Sequence, residues 1–227
     1  MIHELKEIIN QALINQEKGL KNVLASVVFL DGSSYRKPGV RMLISEDLNS
    51  VGAVSGGCVE KEIIHRSKAV FKNNTAKIIT YDGRYRLGCE GILYILLEPF
   101  TVKKEFLEDF TKANSKRESL KIESYFVKKD ETSGDFGSIV TFENNKKFQF
   151  LDATINPKNE FDCFTQILQP AFRLIIIGGE HDAVKLCKIA ANLGWEIEVI
   201  TSVKDPKTLH DFPGAKSVVG ESPETIS

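Results

Sequence analysis

The chain has 227 residues, enough for one large domain or two ordinary ones, and 42% of them are hydrophobic, enough for a real core. Its formal net charge of −1 gives no overall field that recruits nucleic acid or a membrane surface. No apolar run reaches the roughly 18 residues of a membrane span, and the charged start His3-Glu4-Leu5-Lys6-Glu7 lacks a signal-peptide core, so an intracellular, cytoplasmic protein is expected.

Residues 3–18 carry Leu5, Ile8, Ile9, Ala12 and Leu13 at helical spacing, and Gly19 closes the helix. Asn22 to Leu30 is rich in β-branched residues and reads as a buried strand, broken by Asp31-Gly32-Ser33-Ser34. Gly39 to Ser45 and Ser50 to Val54 read as a hairpin over Glu46-Asp47-Leu48-Asn49. A helix is predicted over 59–71, and strands over 76–81 and 92–97. Residues 101–119 are helical in pattern, with Phe106, Leu107 and Phe110 on one face, and Lys121 to Lys129 alternates as a half-exposed strand. Thr132 to Asp135 reads as a turn, and 137–143 with 147–151 as a closing hairpin; this region is taken as scaffold or dimer surface. Asn156 to Pro170 reads as a linker.

Two loops carry the chemistry. The first runs from Gly32 through Ser33, Ser34, Tyr35, Arg36 and Lys37 to Arg41, and is followed by Ser55-Gly56-Gly57-Cys58 at the start of the 59–71 helix. A glycine pair opening a helix leaves free N–H groups with the positive dipole end behind them, an anion site in which a first-turn cysteine is favoured as thiolate. The second loop, Asp82 to Gly91, repeats the theme with Arg84, Arg86, Gly88 and Cys89. The plain alternatives are a simple turn, a small buried cysteine and solvated loop arginines. Four cysteines, at 58, 89, 163 and 187, form no C-x-x-C pair, which argues against a zinc knuckle and for free thiols.

From Phe172 the character changes. Phe172 to Ile177 is a continuous apolar strand of the buried parallel kind, Gly178-Gly179-Glu180-His181-Asp182 turns it into a helix over 183–193 with Leu186, Ile189 and Ala190 inward, and Glu196 to Thr201 is a second parallel strand. The dinucleotide fingerprint is imperfect. Glu180 stands at the second glycine, and Thr201-Ser202 stand where an acidic ribose-binding residue belongs, so NAD(P) in the usual pose is a poor match. A complete doubly wound sheet needs about twice the length of 171–227; a truncated chain and strands borrowed from a partner both account for that.

The segments GSSYRKPGVRML, GAVSGGCVEKEI, LGCEG and LLEP, followed by LIIIGGEHDAVKLCKIAANLGWEIEVIT, together resemble the XdhC/CoxI family of xanthine dehydrogenase accessory factors. The resemblance implies an α/β chain: a mixed α+β N-terminal domain over 1–155, a linker over 156–170, and a partial Rossmann-like parallel domain over 171–227. It also implies a chaperone that binds molybdenum cofactor, shelters it during sulfuration and hands it to a xanthine dehydrogenase-type apoenzyme, with a cysteine desulfurase as a further partner; the half-built second domain, for its part, suggests a homodimer. The motif positions that carry over are Ser33, Ser34, Tyr35, Arg36, Lys37, Arg41, Ser55, Gly56, Gly57, Cys58, Gly88, Cys89 and Gly91 in the first domain and Gly178, Gly179, His181 and Asp182 in the second. Under this reading the cations take the cofactor's phosphate, Tyr35 stacks on the pterin, and Cys58 or Cys89 approaches the metal. A nucleotide-dependent oxidoreductase and a non-catalytic interaction scaffold are the competing readings.

Overall fold

The structure, a computed structural model, describes residues 2–55, 58–84, 91–151, 155, 160–222 and 224, without the side chain of Cys58. The chain divides into two units, Met1–Gln169 and Pro170–Ser227.

The first unit opens with α1 (Ile2–Glu17), whose Leu5, Ile8, Ile9 and Ala12 are buried at the predicted spacing. Strands β1 (Asn22–Asp31), β2 (Arg41–Ser45) and β3 (Ser50–Gly52) follow, then α2 (Cys58–Asn73), β4 (Ala76–Asp82), β5 (Ile92–Pro99) and α3 (Lys104–Lys116). The unit closes with β6 (Leu120–Phe126), β7 (Thr132–Gly134), β8 (Ser138–Phe142), β9 (Lys147–Gln149) and β10 (Asp162–Leu168). Two antiparallel sheets result, one ordered β3-β2-β1-β5-β4-β7 and the other β10-β6-β8-β9. Strand β1 is apolar on both faces because both are covered. Val23, Ala25 and Val27 pack with Val59, Ile63 and Val70 of α2. Val28, on the opposite face, packs with Ile78, Leu96, Phe126 and Phe136.

Residues 101–151 are a structural centre of this unit. Phe106 of α3 lies within about 6 Å, ring centre to ring centre, of Phe110, Phe142, Phe148 and Phe150. Beside them Glu98, fully buried, accepts from the Ser138 amide at 2.8 Å and the Ser138 hydroxyl at 2.6 Å.

Three expectations change here. Thr132–Gly134 is not a free turn; it pairs antiparallel with β4, Ala76 opposite Gly134. Residues 162–168, read as linker, form β10, which pairs with β6 along its length from Asp162↔Phe126 to Leu168↔Leu120. Its inward side chains, Phe164, Gln166 and Leu168, alternate with the exposed Cys163, Thr165 and Ile167.

The second unit contains β11 (Arg173–Ile177), α4 (His181–Asn192), β12 (Glu196–Ser202) and β13 (Ser217–Glu221), a parallel sheet ordered β11-β12-β13. Its core joins Ile176, Ile197 and Val199 of the sheet to Cys187 and Ala190 of α4, with Phe212. The third change lies here. Phe172, Ile175 and Ile177 were expected inside but are exposed, and so are Leu186 and Ile189 of α4. Strand β11 is the sheet's edge, and among the described residues α4 covers one face of it.

Candidate functional site

The bases of the two motif loops of the first unit meet because their strands do. Asp31 at the end of β1 and Asp82 at the end of β4 both register with Ile92 at the start of β5. The loop after β1 and the loop before β5 therefore leave one end of the sheet together. Gly91 fixes the contact: a Cβ there would stand 2.7 Å from the Asp31 carbonyl oxygen and 2.8 Å from that of Ser33. The only residue that allows this approach is glycine. The Gly83 amide donates to the Gly91 carbonyl at 3.0 Å and closes the second loop at its base.

The third motif segment points to the same end. The last turns of α2, Val70 and Phe71 with Asn74, line a cavity of about 240 Å³ beside Asn22, Val23, Pro99 and Phe100, the far ends of β1 and β5. A 16-residue helix spans about 24 Å, so the Cys58 end of α2 lies at the motif end of the sheet. The Ser55 amide donates to Glu60 Oε1 at 2.8 Å, a glutamate in the first turn reaching back to the entering chain.

Within the first loop the residues divide by exposure. Ser33 and Lys37 are exposed, and Tyr35 is 83% exposed. Among the described residues the Ser34 hydroxyl and Arg36 Nε are buried without hydrogen-bond partners. Arg41 is 8% exposed and braces the loop: its Nη1 donates to the Gly39 carbonyl at 2.9 Å and to Gln166 Oε1 at 2.6 Å. Its Nε and Nη2, the side-on edge that pairs with oxyanions, are buried without partners among the described residues. Burial pulls the Arg41 guanidinium down to about 10, against the opposing fields of Glu98 and Glu4. In the second loop Arg84 is paired with Asp82 at 2.6 Å, which holds that carboxyl below its usual range. Gly56, Gly57, Gly88 and Cys89, and the thiol of Cys58, lie outside the described residues. The proposed approach of Cys58 and Cys89 to a metal therefore falls outside them too; among the described residues no cluster of three or more His, Cys, Asp or Glu is placed to hold a metal ion.

In the second unit Gly178 has φ +131, and its amide donates to the Ile200 carbonyl at 2.8 Å. Gly179 lies under the Lys207 side chain. Glu180 is the N-cap of α4 without a side-chain cap bond, and His181 and Asp182 follow, exposed. Thr201 Oγ1 is bonded to the Val219 carbonyl at 3.5 Å and to the Lys207 amide at 3.4 Å. A ribose would therefore meet a hydroxyl already in use rather than a carboxylate.

Sequence reasoning missed Gln166 and Ser138. A lone glutamine in an alternating stretch and a serine opening a hairpin carry no signal of the arginine and glutamate they meet. Glu98 belonged to a recognised segment, but nothing local marked it as buried.

The chain was compared with known proteins. Residues 16–82, from the end of α1 through β4, match the model of the XdhC and CoxI family. Over 223 residues the chain is 30% identical to a probable xanthine dehydrogenase subunit of Bacillus subtilis (strain 168), covering 90% of this chain and 66% of that relative. Its fold is similar to that of a xanthine dehydrogenase from Bacillus halodurans, solved by crystallography, with a TM-score of 0.73 and 23% identity over 96% of this chain and 69% of that one. The family model spans the first motif loop and the start of α2, and the Bacillus subtilis match continues through most of the chain. On that ground the chain belongs to the XdhC and CoxI family.

Proposed function

We propose that this protein is an accessory factor that binds molybdenum cofactor and assists its sulfuration and insertion into a xanthine dehydrogenase-type apoenzyme. The cofactor is cargo: it supplies the molybdenum centre of the target enzyme, and this chain carries out no turnover of its own. The observation that carries the reading is the backbone contact of Gly91 with Asp31 and Ser33, which joins the two motif loops at one sheet end.

The residues there fit a phosphate-bearing pterin. Buried donors without acceptors cost about 1–3 kcal/mol each; among the described residues Ser34 Oγ, Arg36 Nε and the Nε–Nη2 edge of Arg41 are such donors, and a phosphate oxygen is an acceptor for them. Lys37 adds an exposed charge at the rim, and the open ring of Tyr35 suits stacking on a pterin. Ser33, Ser55, Gly56, Gly57 and Gly88 are the further residues proposed to contact the cofactor, with Cys58 and Cys89 as its sulfur ligands. In the second unit the start of α4, with Gly178, Gly179, His181 and Asp182, offers a further place for a phosphate group. The exposed Phe172, Ile175 and Ile177 suit a homodimer contact, and sulfuration calls for a sulfur donor of the cysteine desulfurase type.

The test is transfer. Purified protein is loaded with molybdopterin released from a denatured molybdenum hydroxylase and mixed with apoenzyme. Retention and reactivation are expected for the native chain and loss of both for Cys58→Ala or Cys89→Ala. Native protein that retains no pterin would end the proposal; full retention by both variants would remove the thiols from it.

A further inference from the structure

Strand β10 reaches the first motif loop through Gln166. This side chain points inward from β10, and its Oε1 accepts from Arg41 Nη1 at 2.6 Å. The same Nη1 holds the Gly39 carbonyl at 2.9 Å. Gly39 is pinned on its other side, donating to the Val27 carbonyl at 2.8 Å, while the Val27 amide donates to Val40 at 3.1 Å. Glycine is required at 39 for two reasons. Its φ is +99, and a Cβ there would lie inside contact distance of the Gln166 amide group. Gly39 near the end of the loop, Arg41 and a strand of the other sheet therefore form one latch.

We propose that Gln166 is a positioning residue for the cofactor loop: through Arg41 it holds residues 32–40 in the conformation that receives the ligand. The proposal rests on the cofactor reading of this site. A charged donor gains more from a strong acceptor than from a packed alkyl group, so the contact is electrostatic in character. It also ties the loop to an edge strand, since β10 has one neighbour, β6, among the described residues.

The experiment uses the full chain and three variants. Gln166→Leu keeps the volume and loses the acceptor, Gln166→Ala loses both, and Gln166→Glu keeps an acceptor for Arg41. Hydrogen exchange of the amides of Val27, Gly39 and Val40 is read first, with the β6 amides as an internal control for folding. Exchange about tenfold faster at the loop is expected for Leu and Ala, with Glu within about twofold of native. Retention of molybdopterin is read second and should follow the same order. Unchanged loop exchange in Gln166→Leu, or equal acceleration in Leu and Glu, overturns the latch. If the native chain retains no pterin while the exchange pattern holds, the cofactor reading fails and the latch stands as a property of the fold.

Discussion

Replacing Glu98 by glutamine should change how stability depends on pH. Glu98 is fully buried, and burial pushes its carboxyl up to about 7 from an ordinary 4.5, although the two Ser138 bonds and Arg41 oppose the rise. Between those two values the folded chain holds a proton that the unfolded chain releases. Stability is therefore complete below about pH 4.5 and is lost as pH climbs through about 7. That gap, at about 1.4 kcal/mol per pH unit, is worth about 3 kcal/mol. Glutamine cannot ionise but still offers Ser138 an acceptor. From about pH 5 to about pH 8 the unfolding free energy of Glu98→Gln should accordingly gain about 2.5 kcal/mol relative to the native chain, the rest of the difference falling below about pH 5. Urea unfolding followed by far-UV circular dichroism measures this. Tryptophan fluorescence does not, because the single tryptophan, Trp195, lies in the second unit. A difference constant to within about 0.5 kcal/mol across that range would show that Glu98 does not ionise there, and the reasoning would fail.

Phe106→Ala should cost about 3–5 kcal/mol in the same unfolding assay, since Phe106 is buried against four other phenylalanine rings; a loss under about 1 kcal/mol would contradict the packing. In native protein treated with iodoacetamide and mapped by mass spectrometry, the exposed Cys163 should alkylate rapidly. Cys187, fully buried and with its thiol raised by that burial, should react only on unfolding; equal rates for the two would refute this. Trp195 packs against Phe172 at 5.5 Å, ring centre to ring centre, in the second unit. NADH or NADPH at about millimolar concentration should leave its fluorescence and the melting temperature unchanged, because Glu180 and Thr201 stand where the dinucleotide needs a glycine and a carboxylate; saturable quenching would revive the oxidoreductase reading.

Local pattern made much of the fold legible. Leu5, Ile8, Ile9 and Ala12 announced α1, and the β-branched run from Asn22 announced β1, because helical and strand periodicities are written in neighbouring residues. The two motif loops share their glycine, cysteine and arginine chemistry in the sequence, and it takes the register of Asp31 and Asp82 on Ile92 to bring the loop bases together. What stayed hidden was non-local. Residues 162–168 sit between Asn156-Pro157-Lys158-Asn159 and Pro170, a composition that reads as linker. They are a strand only because β6, some forty positions earlier, offers a free edge. Thr132–Gly134 has turn composition and pairs solely because β4 is unpaired on that side. The apolar Phe172–Ile177 run marked a strand but could not say which of its faces would be covered.

The sequence by itself determined the helices, the principal strands and the family, since each is encoded in short-range spacing or in contiguous motif. Only the tertiary structure decided that Gln166 meets Arg41, that Glu98 is sealed beneath Ser138, and that Gly91 lies against Asp31 and Ser33. Those contacts join residues far apart along the chain: Gly91 through a close backbone approach at one sheet end, Gln166 and Glu98 through donors meeting acceptors across two sheets. No window of neighbouring residues contains that information.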